Sequence, residues 1–191
     1  MEFPEIKPTK LSHFSHRHPL ELLEVEEKDA LLCSGCELQL QGAAYNCTKP
    51  SCDFILHDSC TDLPRQLKHN SHPKHRLILQ FHPPYRGEFT CNACGDVGHG
   101  FSYHCSTCNF DLHVECASLP EVENREDHEH PFVLLYSSSF PATKDDGKGK
   151  KAAEMQSLFN CYVCDGPVEN GRWMYRCSGC PRGAHLDCVS S

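Results

Sequence analysis

The feature that most constrains this chain is the stretch Cys91-Asn-Ala-Cys94, ten residues, Cys105-Ser-Thr-Cys108, four residues, His113-Val-Glu-Cys116. Five cysteines and one histidine fall within 26 positions. Two close thiol pairs followed by His-x2-Cys read as tetrahedral zinc ligation. The pattern has a copy on either side. Upstream it is Cys33-Ser-Gly-Cys36, Cys47-x4-Cys52 and His57-x2-Cys60. Downstream it is Cys161-Tyr-Val-Cys164, Cys177-Ser-Gly-Cys180 and His185-x2-Cys188. Recurrence at ~60 residues predicts three tandem modules, each one supersecondary unit around its metals. Their bounds are read as 13–72, 73–128 and 129–191, the last with an inserted linker at about 137–157.

Composition explains why metal is needed. Of 191 residues, 15 are cysteine and 14 histidine, and only 39% are apolar. A unit of about 60 residues with so few large apolar side chains cannot offset its chain entropy by burial alone. It needs disulfides or metal as staples. Five cysteines per repeat cannot close into disulfide pairs within a repeat, and each set stands beside histidines at ligand spacing. Met1–Lys10 shows no apolar signal core. No apolar run is long enough to cross a bilayer. These features predict a reducing compartment, cytoplasm or nucleus, rather than secretion. The formal charge of -8 falls to about -11 once thiolates and about six zinc ions are counted. That disfavours a nucleic-acid partner.

Along the chain, Glu21–Val25 suits a short strand, and His82–Gly87 reads as a turn. Ser137–Lys151 is small, charged and glycine-containing, and reads as a mobile insertion. The Lys148–Lys151 cluster, next to Asp145 and Asp146, fits a solvated linker better than a nucleic-acid patch. Leu63-Pro64 and Leu119-Pro120 close the first two repeats, and the third lacks this pair.

Six ligands per repeat are too many for one zinc and too few for two. A seventh is the histidine that leads each apolar strand: His18, His75 and His130. An eighth is sought after the last cysteine. His69 and His72 are both candidates in repeat one, but Arg125 stands where His69 would recur. The shared Cys-x11-His spacing selects His72 and His128.

These residues resemble the phorbol-ester/diacylglycerol-type zinc domain of protein kinase C. More closely they are similar to its plant offshoot, the divergent C-one, or cysteine/histidine-rich, family. The likeness is carried by the His130-Pro-Phe type of lead, Cys91-x2-Cys94, Tyr103-x-Cys105-x2-Cys108-x-Phe110-x-Leu112-His113-x2-Cys116 and Leu119-Pro120. It implies small zinc-stapled modules, mostly short β-strands with short helical turns, holding about two zinc ions each and five to six in all.

The resemblance also implies crossed ligation. One set per repeat is Cys33, Cys36, His57 and Cys60; Cys91, Cys94, His113 and Cys116; and Cys161, Cys164, His185 and Cys188. The other joins His18, Cys47, Cys52 and His72, then His75, Cys105, Cys108 and His128. His130, Cys177 and Cys180 lack a trailing partner; a water or a spare histidine such as His16 completes that set, or the site is weak. The remaining histidines, His13, His16, His69, His82, His99 and His104, are expected at the surface.

Tyr45, Tyr103 and Tyr175, with Phe54, Leu56, Phe110 and Leu112, are expected to form small cores over the metal knuckles. Repeat three has Arg182 and Ala184 instead, with Trp173 as the compensating ring, and is expected to be the least stable. Four protein ligands close a zinc site to chemistry, so the chain is read as non-enzymatic. The resemblance implies a protein-binding adaptor in plant signalling or in stress and defence. The alternatives are diacylglycerol binding, for which the loops 37–46 and 95–104 are short and mixed in polarity, and disulfide exchange at the Cys-x2-Cys pairs.

Overall fold

The computed structural model describes residues 8–136, 157–169 and 171–189; the linker read at Ser137–Lys151 lies outside them. The chain divides into two compact units, Met1–Cys91 with Asp96–Ala117, and Asn92–Gly95 with Ser118–Ser191.

One architecture occurs three times among the described residues: a four-stranded antiparallel sheet. In the first module it is β1 (Lys10–Leu11), β2 (Leu20–Val25), β3 (Gly42–Cys47) and β4 (Ile55–His57), followed by the one-turn helix α1 (Asp58–Thr61). In the second, β5 (Gln66–Leu67) and β6 (Leu77–Gln80) pair in order with β9 (Ser102–Cys105) and β10 (Phe110–His113), while β7 (Phe89–Thr90) and β8 (Val97–Gly98) form a separate ribbon. In the third, β11 (Val122–Glu123) and β12 (Phe132–Leu135) pair with β15 (Met174–Cys177) and β16 (Gly183–Ala184). Here β13 (Ser157–Asn160) and β14 (Pro167–Glu169) make the ribbon, and the short helix α2 (Leu186–Val189) ends the described chain.

Period-two burial drives each sheet. Leu77 and Leu79 of β6 are buried while Ile78 between them is exposed. Such alternation is what a strand with one wet face requires. Tyr45, Tyr103 and Tyr175 are almost wholly buried, as expected for core residues. Burial raises the Tyr103 and Tyr175 phenols to about 12, so both remain donors. A buried hydroxyl needs a partner. The three hydroxyls donate to the carbonyls of Pro8, Pro64 and Pro120, at 2.9, 2.8 and 2.7 Å.

This alters the frame of the repeat. Leu63-Pro64 and Leu119-Pro120 do not close the modules before them. They open the next ones, because the chain after each proline forms the edge strand of the following sheet. The absence of Leu-Pro after Cys188 removes nothing from module three.

A second tie joins the two ends of a module. The His13 imidazole lies 3.2 Å from the Thr61 carbonyl, one residue past the last cysteine of module one. Arg125 donates to the carbonyl of Cys188 at 2.6 Å in module three. His13, His69 and Arg125 also bind the residue two positions on: Ser15 at 2.6 Å, Ser71 at 2.8 Å and Asp127 at 2.8 Å. His13 and His69 are only 5% and 8% exposed, so the expectation of surface histidines fails there.

Candidate metal centres

Strand register brings the ligands together. In module one Leu20 stands opposite Cys47, and in module three Phe132 stands opposite Cys177. The residues just before each lead strand therefore reach the second cysteine pair. Two histidines lie there in every module. The resulting groups are His16, His18, Cys47 and Cys52; His72, His75, Cys105 and Cys108; and His128, His130, Cys177 and Cys180.

The crossed sets implied by resemblance are corrected by this grouping. His72 does not join Cys47 and Cys52, because the chain beyond Cys60 has already entered the second sheet through β5. It joins His75 within module two. For the same reason His128 joins His130 in module three and not His75. His16 is a member of a cluster, not a surface spare. The third set contains four protein donors, so neither water nor a distant histidine is needed. The Cys-x11-His regularity was real, but it measured the distance to the next module's first ligand. The signal that finds His16 is the repeated pairing of two histidines just ahead of an apolar strand: His16 with His18, His72 with His75, His128 with His130.

The first centres match the expected sets. Cys33, Cys36, His57 and Cys60 converge, as do Cys91, Cys94, His113 and Cys116. In module three His185 Nδ1 lies 3.4 Å from Cys164 Sγ and 3.8 Å from Cys188 Sγ. The Cys161 thiol completes this group, in contact with the His185 backbone and the Cys164 thiol. In the three second centres, and in the first centres of modules one and two, the ligand atoms lie within 4.8 Å of one another. A tetrahedral zinc–thiolate site has S–S edges of about 3.8 Å, so the spacing fits that ion. None of the fifteen cysteines is joined in a disulfide.

The tautomers also fit. His57 Nε2 lies 3.1 Å from the Gln39 carbonyl, and His185 Nε2 lies 3.0 Å from the Pro167 carbonyl. A ring nitrogen facing a carbonyl must carry the proton. That leaves the Nδ1 lone pair aimed at the thiols. At the second centres the first histidine turns Nε2 inward: His16 Nε2 is 3.4 Å from Cys52 Sγ, and His128 Nε2 is 3.0 Å from Cys177 Sγ. Burial, with the neighbouring imidazole, lowers His16 and His72 below the ordinary histidine range, which favours the neutral, metal-binding form.

The thiols are set up for ionisation. Backbone N–H groups of Gly35, Lys49, Val163 and Gly179 point at the first sulfur of their knuckles, at 3.3 to 3.4 Å. Burial opposes ionisation of Cys161, but N–H donors from Cys164, His185 and Val163 outweigh it and bring the thiol to about 6. Cys177 reaches about 6 as well: burial again opposes, and the His128 ring and the Gly179 N–H prevail. At the first centre of module one, Cys36 and Cys60 donate to Cys33 and lower it. The same thiolate raises Cys60 to about 12. Ionising all three thiols at this spacing requires a cation among them.

Aromatic support is uneven. Phe54 stacks on His16 with ring centres 4.2 Å apart, and Phe110 stacks on His72 at 4.8 Å. In module three the equivalent position is Arg182. Its guanidinium lies over the Tyr162 ring at 4.3 Å, and Nη1 is 3.4 Å from His128 Nδ1. Tyr162, not Trp173, is the ring that replaces the missing phenylalanine. Trp173 packs edge-on to Tyr136 instead, at 4.8 Å. His104 is likewise no surface spare: it pairs with buried Asp111 at 2.8 Å.

The sequence model of the C1 domain matches residues 14–61 and 70–117. The chain belongs to the C1 domain family. Each matched span opens two residues before the first histidine of a pair and closes one residue after the last cysteine, the same frame that the clusters define. The described structure is a set of small zinc-binding modules, two of them matched as C1 domains. The chain is also 38% identical over 66 residues to "Probable nucleoredoxin 1" of Arabidopsis thaliana. That alignment covers 35% of this chain and 11% of the relative. No solved structure matches the chain. Among the described residues no helix is long and apolar enough to cross a membrane.

Proposed function

We propose that the chain is a non-enzymatic array of C1 modules that binds a protein partner, with one zinc ion in each of six four-ligand centres. The observation that supports this is the closure of every centre by four protein donors. Such a site leaves no position for an activated water. Zinc then acts by holding loops and sheet edges in fixed positions for recognition. A role as an adaptor in plant signalling, or in stress and defence responses, follows from the family resemblance. Elemental analysis of the purified chain is expected to give six zinc per molecule. A value near zero with disulfides present overturns the reading, as does insulin reduction by the zinc-loaded protein. Partner capture with and without chelator tests the adaptor role directly.

One observation favours a second reading. Leu32 and Leu38, 61% and 55% exposed, flank the first knuckle of module one, with Leu31 beside them. An exposed apolar tip of this kind suits the lipid surface that some C1 domains bind. Sedimentation with vesicles containing diacylglycerol, lost in Leu32→Ser with Leu38→Ser, would support it.

A further inference from the structure

The first metal knuckle of module one is also where module two lands, inside the first compact unit. Gly35 lies between the ligands Cys33 and Cys36, and its carbonyl accepts the Phe101 N–H at 2.7 Å. Glu37, next to Cys36, accepts the His99 N–H on Oε2 at 2.8 Å. The approach is close on both sides. A Cβ on Gly35 would stand 3.1 Å from the Phe101 ring, and one on Gly100 would collide with the Gly35 carbonyl oxygen. Phe101 is buried and packs edge-on against Phe81 at 5.6 Å. Glu115, from between the ligands His113 and Cys116, comes within hydrogen-bonding reach of Cys36.

The same bond recurs inside the second unit. Ala93 holds the position of Gly35 in its own knuckle, and its carbonyl accepts the Trp173 N–H at 2.9 Å. Phe101 and Trp173 each stand four residues before the third cysteine of their modules, Cys105 and Cys177. Both are buried aromatics, and both meet a small residue at the knuckle. The two contacts are equivalent in their positions relative to the ligands.

We propose that the first metal knuckle of module one is a docking surface for module two, so that the ion held by Cys33, Cys36, His57 and Cys60 joins two modules. Gly35 is held between two ligands and Glu37 directly follows one, so ligation sets the position of both acceptors. Loss of that ion frees the turn and removes the acceptors together. By thermodynamic reciprocity, docking must in turn help retain the ion. The inference rests on the zinc reading above.

Hydrogen exchange of the full chain, followed in the peptide spanning His99–Phe101, tests the link together with zinc content. Cys36→Ser is expected to lose one zinc and to speed exchange there. Cys180→Ser, at the second centre of module three, is expected to lose its zinc and leave that peptide protected. Gly100→Val touches no ligand. It is expected to bind the full complement of zinc when zinc is in excess but to hold one equivalent about 5- to 150-fold more weakly in equilibrium competition with a chelator, the range of ordinary coupling energies. Unchanged protection in Cys36→Ser, equal deprotection in Cys180→Ser, or wild-type zinc affinity in Gly100→Val overturns the inference alone. A wild-type chain without zinc overturns the zinc reading and this inference with it.

Discussion

In module two the Phe110 ring lies on His72; in module three Arg182 occupies the same place beside His128. Both modules gather two histidines and two cysteines. The aromatic face covers its ligand without competing for it. The guanidinium is different. With Nε2 turned to the thiols, His128 must carry its proton on Nδ1 to bind metal, and Arg182 then presents a donor to a donor. The lead segment differs in the same sense, with His69 and Ser71 in module two replaced by the ion pair Arg125–Asp127. A donor set can therefore be kept while its support changes from packing to charge. The contrast places the expected weakness of module three in the groups around His128 and not in a missing ligand.

The strongest test of equivalence is removal of a cysteine from each second centre. Cys105→Ser and Cys177→Ser should each cost one zinc and unfold the module concerned, because binding energies of about 10–16 kcal/mol are also folding energies in small zinc modules. Limited proteolysis with zinc analysis reads this out, and an unchanged digestion pattern in either variant breaks the parallel.

Next in size are His72→Ala and His128→Ala. Each should open its own module, the second and third respectively, with a loss of affinity beyond the about 10- to 100-fold typical of an outer-sphere change. Damage appearing one module upstream would restore the crossed ligand sets.

Tyr103→Phe and Tyr175→Phe should each cost about 0.5–1.5 kcal/mol through the lost bond to Pro64 or Pro120. Equal shifts in thermal unfolding support a shared frame. A loss in only one module would show that the two proline contacts differ in weight.

The smallest effect is expected from Arg182→Phe, which should slow release of one zinc by up to about tenfold, within about 1.4 kcal/mol, by restoring a stacked ring. Release at the original rate would remove Arg182 from the account of that expected weakness.

Much of this was legible in the residues. The Cys-x2-Cys and His-x2-Cys spacings fix which side chains can converge, because a knuckle or a single helical turn leaves little freedom. The first centres were readable for that reason. The buried tyrosines were readable too, each two residues before a ligand cysteine on the inward face of a strand. The second centres were harder. Their histidines approach across a sheet, and their assignment depends on which strand pairs with which. Nothing in the spacing from Cys60 to His72 shows that the chain changes sheets at Gln66–Leu67 between them. The exchange of Phe for Arg182 was visible, but its consequence required knowing that Tyr162 lies within reach.

The tyrosine hydroxyls bound at Pro8, Pro64 and Pro120 have a consequence for how such a chain can lengthen or shorten. The heritable unit runs from one proline to the next, 56 residues by this numbering, and it does not start at the first metal ligand. A duplication or recombination whose breakpoints fall just before Leu63 or Leu119 passes on a whole sheet with both metal centres. One that falls between the proline and the paired histidines separates a tyrosine from its acceptor and an edge strand from its sheet, although every cysteine motif is inherited intact.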